Sequence, residues 1–334
     1  MRKECFMKKL ISVFSRILLW LIVSVLALVL LVFVGEKLFF GSFFFGGARA
    51  EFAIPGLWTG FVPQGFDKVN DAYIISGYDK SDNAPSSVYV IKDGKDSRVD
   101  LYNADGSDYL SHAGGVTHFG DYMYVAYNTG EDTTFCDMFL LSDVFDGDGK
   151  ATKCDSIPLP NRISYCSVYG NKLYAGAFYR EGSKYLTPES HQLTTPAGDQ
   201  NTALMMVYTL DETTGKPVGD KPDLVYSTLS NVQGMCITGS GKIVLSTSWS
   251  VSPSNLYVYD LTKASQGTWN LDGAEIPVTY LDSACLAQTI TCPPMSEELV
   301  YENGRVIIMS ESACMKYFYG KIMSGNFAHS IPLD

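Results

Sequence analysis

Two kinds of apolar pattern divide the chain near residue 50. From Ile17 to Gly35 it reads ILLWLIVSVLALVLLVFVG, with no charge and one polar interruption, Ser24. At about 1.5 Å per helical residue, this run spans a hydrocarbon core of roughly 30 Å. Beyond Glu51 the apolar residues instead form short runs separated by Gly, Asn or Asp, and no segment keeps a helical period. The pattern predicts a transmembrane helix followed by an all-β domain.

The β domain repeats one unit. Two apolar strands flank a tight turn rich in Gly, Asn or Asp, as a β-hairpin requires. Five copies of this hairpin begin at Gln64, Gly114, Tyr165, Gln233 and Glu297. A third strand follows four of them (SSVYVIKD, CDMFLLSD, ALMMVYTLD, SNLYVYDL), and weaker fourth strands can follow (SRVDLYN, CDSIPLP, PDLVYST, IPVTYLD). A repeated unit that consists of a hairpin and two further strands is typical of propeller blades.

The sequence therefore predicts a five-bladed β-propeller behind one N-terminal transmembrane helix. A degenerate blade within residues 178–203 would make six. The fifth copy is irregular, and its outer strands would come from Lys316–Lys321 and His329–Asp334, or from Phe52–Phe61 closing the ring. The predicted divisions are a cytoplasmic N-terminus (1–16), the transmembrane helix (17–35), a linker (36–54) and the propeller (55–334).

The charges that flank the apolar run predict its orientation. Five basic residues precede it, whereas Glu36 and Lys37 follow it and cancel. The positive-inside rule then leaves the N-terminus in the cytoplasm and exports the rest. The alternative is a cleaved signal peptide, since Ala48-Arg49-Ala50 has the small-x-small form of a cleavage site. The apolar run is longer than the usual signal core, which favours an uncleaved anchor.

The exported part is acidic. Once the seven Lys/Arg and two Asp/Glu of residues 1–50 are set aside, 18 basic and 34 acidic side chains remain, a net charge of −16. Such a surface repels phosphate backbones, so we expect no nucleic-acid partner. The acidity itself favours solubility.

Cysteine spacing and short motifs indicate little chemistry. Seven of the eight cysteines are exported, where disulfides are permitted, and Cys285 with Cys292 or Cys136 with Cys154 could pair. No zinc-type spacing occurs, so no metal site of that kind is expected. The segment Asp146–Gly149 resembles a calcium loop but has Val144 in place of its first acidic ligand and Asp155 in place of its bidentate Glu, which favours a plain turn. The sequence leaves any cofactor unassigned.

The blade segments SNLYVYDL, and PQGF followed by YIISGYD, resemble those of bacterial exported β-propeller proteins. The resemblance covers most of residues 55–334. It implies a disc with a central channel and a ligand-binding face, and no particular reaction, since such proteins range from sugar-lactone hydrolases and glycosidases to proteins without catalysis. None of their catalytic signatures matches here.

Propeller topology predicts where a site would lie. The starts of the first strands and the ends of the second strands meet at one face, together with the long insertion Arg180–Asn201. Loops on a rigid scaffold concentrate binding residues. We therefore expect a binding site among Gln64, Tyr78, Tyr127, Asn128, Tyr165, Tyr179, Arg180, His191, Gln233 and Trp249. Aromatic residues of this set could stack on a sugar ring, or could simply pack the blades.

Four titratable residues of this face are candidate catalytic groups. Glu297 and Glu311 could form a general acid/base pair, because two carboxyls facing one cavity can have different pKa values. Asp79 is a further acid and His112 a base or ligand. The alternatives are an exposed loop carboxylate for the glutamates and a turn residue for His112.

Three functions remain open from the sequence. The first is a cell-surface binding module for a glycan, small molecule or protein. The second is an exported hydrolase of a glycan, lactone or phosphoester. The third is a structural partner in a membrane complex.

Overall fold

The computed structural model describes residues 2–81, 83–127 and 135–334. The chain begins with a 38-residue helix, α1 (Arg2–Phe39), followed by a single turn, α2 (Gly41–Phe44). Within α1, Leu10–Phe39 is long and apolar enough to cross a membrane, and its most apolar window is entirely unburied. Beyond α2, nearly all of the regular secondary structure in the described residues is β strand, as the sequence predicts.

The strands of the described residues form five four-stranded antiparallel units. The first strand of the chain is β1 (Arg49–Ala53). Blade one consists of β2 (Phe61–Val69), β3 (Ala72–Asp79), β4 (Ser87–Lys92) and β5 (Lys95–Tyr102). Blade two consists of β6 (Val116–Phe119), β7 (Tyr122–Tyr127), β8 (Phe135–Leu140) and β9 (Lys150–Pro158), with the short helix α3 (Leu141–Phe145) before β9.

Blade three consists of β10 (Tyr165–Tyr169), β11 (Lys172–Gly176), β14 (Ala203–Thr209) and β15 (Leu224–Thr228), interrupted by a two-residue pair, β12 (Leu193–Thr194) and β13 (Gln200–Asn201). Blade four consists of β16 (Val232–Ile237), β17 (Ile243–Thr247), β18 (Ser254–Tyr259) and β21 (Leu286–Cys292), with the hairpin β19 (Gln266–Leu271) and β20 (Ala274–Tyr280) inserted before β21. Blade five consists of β22 (Ser296–Glu302), β23 (Arg305–Ser310), β24 (Phe327–Pro332) and β1.

The five first strands form the inner ring. Contacts run from β2 to β6, β10, β16 and β22, and β22 returns to β2. Each neighbouring pair of blades encloses its own apolar core, for example the cluster around Val88 and Phe139 between blades one and two. The sheets are therefore arranged in a ring, and each sheet buries its faces against its two neighbours. This is the architecture of a β-propeller.

Glycine allows the inner strands to approach closely. A Cβ added to Gly65 would lie 2.4 Å from the backbone nitrogen of Val116 in the next blade. At Gly115 it would meet the Cys166 nitrogen at 2.4 Å, and at Gly234 the Glu298 Cα at 2.4 Å. The Gln-Gly and Gly-Gly dipeptides of the repeat are therefore explained by blade-to-blade packing.

The structure corrects three strand assignments. The segment Lys316–Lys321 is not a strand but part of a long loop, Glu311–Asn326, that contains two 3-10 turns. The N-terminal segment closes blade five, as the alternative predicted, but over β1 (Arg49–Ala53) rather than Phe52–Phe61, and β1 pairs with β24 (Ala53 opposite Phe327). The segment IPVTYLD forms β20, because the Asp272-Gly273 turn, with both φ values positive, folds it back on β19 and it then pairs with β15 of blade three.

The possible cysteine pairs are not formed. The described cysteines, Cys136 and those after it, are free. Cys285 lies before the start of β21 and Cys292 at its end, and a strand of this length separates its ends by roughly 20 Å. Cys136 lies opposite Ile157 rather than Cys154. Six of the seven thiols are instead buried as small apolar groups, four on strands and two, Cys285 and Cys314, in loops.

Candidate functional site

A cavity opens at one end of the ring, where first strands begin and second strands end. Its volume is about 750 Å³, within the roughly 300–1,000 Å³ typical of small-molecule sites. We call this end of the propeller the mouth face. All five blades contribute to the cavity lining, through residues such as Gln64, Leu110, Phe178, Trp249 and Glu311.

Seven of the residues singled out from the sequence line this cavity together: Gln64, Tyr78, Asp79, His112, Gln233, Trp249 and Glu311. They come from blades one, two, four and five, and up to 247 residues separate contacting members. The hairpin repeat places them at matching ends of strands, which is why sequence alone could group them.

A buried carboxyl pair lies at the cavity floor. Glu311 accepts a hydrogen bond of 2.7 Å from Nε2 of Gln64. Glu297 does not line the cavity; it is buried beneath it and accepts a 3.3 Å hydrogen bond from Nε2 of Gln233. The two glutamines thus hold the two glutamates, one in the seam between blades five and one and the other between blades four and five.

Burial sets the ionisation of this pair. It raises the pKa of Glu311 to about 8, against the opposing effects of the Lys316 ammonium and the Gln64 amide. Burial, and then the neighbouring Glu311 carboxyl, raise the pKa of Glu297 well above its usual range. Glu311 is therefore mainly neutral at pH 7 and able to donate a hydrogen bond.

Asp79 lies in the opposite electrostatic environment. The hydrogen bond from the Ser81 hydroxyl, supported by that from the Ser81 amide, lowers the pKa of Asp79 against the opposing effect of burial. The cavity lining therefore contains an ionised carboxylate at Asp79 and a protonated carboxyl at Glu311. Two such groups with separated pKa values are what acid and base roles require.

His112 is held neutral. Its ring stacks on Tyr78 with centroids 4.4 Å apart and faces the cavity. Desolvation by the surrounding protein is the main cause that lowers the pKa of His112. The nearby cations of Lys316, Lys184 and Arg162 lower it further. A neutral imidazole offers one donor and one acceptor to a ligand.

Aromatic side chains form one wall of the cavity. Phe178 and Trp249 stack at 6.2 Å between centroids, and Tyr185 meets Phe178 edge-on at 5.6 Å. The Arg180 guanidinium lies 4.9 Å from the centroid of the Trp249 ring and supports it from the insertion. Such faces present apolar area with little conformational entropy to lose.

Sequence reasoning missed the contribution of the Glu311–Asn326 loop. Lys316, Tyr317 and Tyr319 line the cavity, and Lys316 Nζ donates a 2.6 Å hydrogen bond to the Tyr78 hydroxyl. The misassigned strand over Lys316–Lys321 concealed them. Its lack of strict alternation, and the run Ser310 to Ala313 of small and polar residues, were the available signals for a loop.

Glu298 is a second missed residue. It occupies in blade five the inner-strand position that Gly65, Gly115 and Gly234 hold elsewhere, and its Oε2 accepts a 3.1 Å hydrogen bond from the Val116 amide of blade two. Burial raises the pKa of Glu298 well above its usual value. The small residues of the other blades leave the space that this side chain fills at the centre of the ring.

The remaining residues lie outside the cavity lining. Tyr127 packs on Tyr109 at 5.5 Å, and Tyr165 is fully buried between blades three and four. The backbone carbonyl of Tyr179 accepts a hydrogen bond from the Asn231 amide. The Arg180 guanidinium packs on Trp249, which itself lines the cavity. His191 is buried against the edge of the Trp269 ring. Asn128 lies outside the described residues.

The acidic turn Asp146–Gly149 lies far from the cavity, at the opposite face. Asp146 and Asp148 accept hydrogen bonds from the amides two residues on, which closes their own turn. Among the described residues, no group of three or more His, Cys, Asp or Glu side chains is placed to hold a metal ion.

Two of three comparisons with known proteins find no match. No family model matches the chain, and no curated protein matches it. Among solved structures it is similar to the PQQ-bound aldose sugar dehydrogenase of Streptomyces coelicolor, at 12% identity and a TM-score of 0.46, over 85% of this chain and 98% of that one.

Proposed function

We propose that the protein is a membrane-anchored, extracytoplasmic binding protein for a small glycan. The observation that supports this most is the combination of stacked aromatic side chains and neutral hydrogen-bonding groups in one cavity of about 750 Å³. Trp249 and Phe178 offer faces to a sugar ring, while Gln64, Gln233 and protonated Glu311 offer donors and acceptors to its hydroxyls.

The anchor is proposed from α1. Its apolar part is not buried against the domain, and the basic residues before it favour a cytoplasmic N-terminus. An uncleaved α1 would then hold the cavity outside the cytoplasm.

A glycan array probed with the full chain in detergent tests the proposal. We expect binding to a restricted set of oligosaccharides, and Trp249→Ala to weaken it about tenfold, the scale of a lost aromatic contact. Tyr169→Ala is the matched control, because Tyr169 is exposed at the end of β10, at the opposite face. Absence of any glycan signal, or equal loss in both variants, would contradict the proposal.

Hydrolysis of the bound glycan is a second candidate function, favoured by the separated ionisation of Asp79 and Glu311. In this reaction Glu311 would protonate the leaving oxygen and Asp79 would act as base or nucleophile. Glu311→Gln should then abolish cleavage while retaining binding, as followed by chromatography of the released sugars. If the wild-type protein leaves its bound glycans intact, it is a binding protein alone.

A further inference from the structure

We infer that the mouth face lies against the surface of the bilayer that holds α1, so that the cavity opens toward the membrane. This orientation rests on the proposed anchoring, and it concerns a surface rather than the ligand in the cavity.

The first observation is where α1 joins the propeller. Glu36, in the last turn of α1, is buried, and its carboxylate accepts hydrogen bonds from the amide of Ser324 at 2.9 Å and from its hydroxyl at 2.6 Å. Ser324 belongs to the Glu311–Asn326 loop, which also supplies Lys316 and Tyr317 to the cavity. The helix therefore meets the domain at the rim of the mouth face.

The second observation is the course of the chain after that contact. Phe40 and Phe43 pack into the core between blades four and five. The carbonyl of Gly47 then accepts a hydrogen bond of 2.7 Å from Arg305, next to the β22–β23 turn at the opposite face. The chain thus enters at the mouth face and leads away from it, with no flexible tether between helix and propeller. The apolar part of α1 ends where the helix meets the domain, so the surface of the bilayer would lie at the level of the mouth face.

The third observation is an asymmetry of exposed apolar side chains. Among the described residues of the propeller, the opposite face exposes Phe145, Tyr169 and Val218. The mouth-face loops expose six large apolar side chains, with Trp58 at 74% and Val251 at 67% the most exposed: Trp58, Leu110, Leu186, Val251, Phe318 and Ile322. Phe45, on the segment that leads toward the opposite face, and Phe327, at the start of β24, are exposed outside both sets. Soluble surfaces concentrate such residues where they meet a partner or a membrane.

The fourth observation is the charge that accompanies them. Lys80, Lys184, Lys316 and Lys321 lie on the same loops, interspersed with acidic residues such as Asp105, Glu181 and Glu189. Lys321 Nζ lies 3.8 Å from the centre of the Trp58 ring and donates to the Leu57 carbonyl at 2.8 Å. Tryptophan beside lysine is typical of protein at the headgroup level of a bilayer, where the ring and the lysine stem are apolar and the ammonium reaches phosphate.

Lysine footprinting of the full chain tests this orientation. The protein is acylated with a membrane-impermeant amine reagent in detergent and in lipid nanodiscs, and each lysine is quantified by mass spectrometry. Moving from detergent to bilayer, we expect labelling of Lys80, Lys184 and Lys321 to fall about fivefold, and not completely, because lysine side chains snorkel to water. Lys95 and Lys221, at the opposite face, should be labelled equally in both.

Charged variants provide the matched control. Trp58→Glu combined with Val251→Glu should restore labelling of the mouth-face lysines in nanodiscs, whereas Val218→Glu, equally exposed at the opposite face, should not. Equal labelling of both faces in the bilayer overturns the inference. Protection that persists in detergent and is lost on dilution also overturns it, since a second copy or another protein would then cover the face. Glycan binding in detergent is independent of this outcome, so the two proposals can fail separately.

Discussion

Gln64 and Glu311 are joined by a 2.7 Å hydrogen bond across the seam between the first and last blades. The bond is buried, and it links a residue near the start of the propeller to one near its end. It lies where β2 of blade one contacts β22 of blade five, so the closure of the ring and the cavity floor share this bond.

The ionisation of Glu311 predicts a pH dependence of stability. Its pKa rises from 4.5 to about 8 on folding, so between these values the unfolded chain has released a proton that the folded protein still binds. Stability from this group is therefore complete below about pH 4.5 and is lost as the pH rises to 8. Glu311→Gln should flatten the decline of Tm between pH 5 and 8. Glu189→Gln, at an exposed position of the insertion, is the control; an unchanged slope in Glu311→Gln would contradict the assignment.

Gly65 is predicted to be essential to packing of the inner ring. An added Cβ would lie 2.4 Å from the Val116 nitrogen and 2.3 Å from the Ser76 hydroxyl, so the inner strands must separate. Gly65→Ala should destabilise the protein by about 1–3 kcal/mol, the usual cost of overpacking. The matched control is Gly219→Ala, where the nearest atom would be 3.8 Å away. Denaturant unfolding of both variants measures the difference, and equal stabilities would refute the packing explanation.

Thiol reactivity should distinguish one cysteine from the others. Of the seven described free cysteines, Cys154 is exposed and the remaining six are buried. Alkylation of the native protein should modify Cys154 first, and the others only on unfolding, because access limits thiol chemistry. Mass spectrometry of the peptides reads out the order. Early modification of Cys285 or Cys292, or a disulfide between them, would be inconsistent with the structure.

Retention of the N-terminal helix is a further prediction. Cleavage after Ala50 would remove Glu36 from its hydrogen bonds to Ser324 and two residues of β1 from the fifth blade. We therefore expect the chain isolated from membranes to keep residues 1–50. The intact mass of a C-terminally tagged protein measures this, because a C-terminal tag recovers both the full-length chain and a chain cleaved after Ala50. A mature chain beginning at Glu51 would show that the helix is a signal peptide.

The sequence by itself determined the class of fold. A repeated hairpin with Gly, Asn or Asp in its turns fixes local strand pairing, and an uninterrupted apolar run fixes the helix, because both depend on residues close together in the chain. The same repeat brought Gln64, His112, Gln233 and Glu311 to one face, since equivalent strand ends share an edge.

Only the tertiary structure decided which strands complete each blade and which side chains meet in the cavity. Strand β20 joins blade three, and β1 completes blade five, because those pairings depend on long-range partners that no local pattern specifies. The raised pKa of Glu311 comes from burial between distant blades. Burial of a side chain and its distance from residues of other blades are properties of the assembled ring. Amino-acid composition contains no information about either.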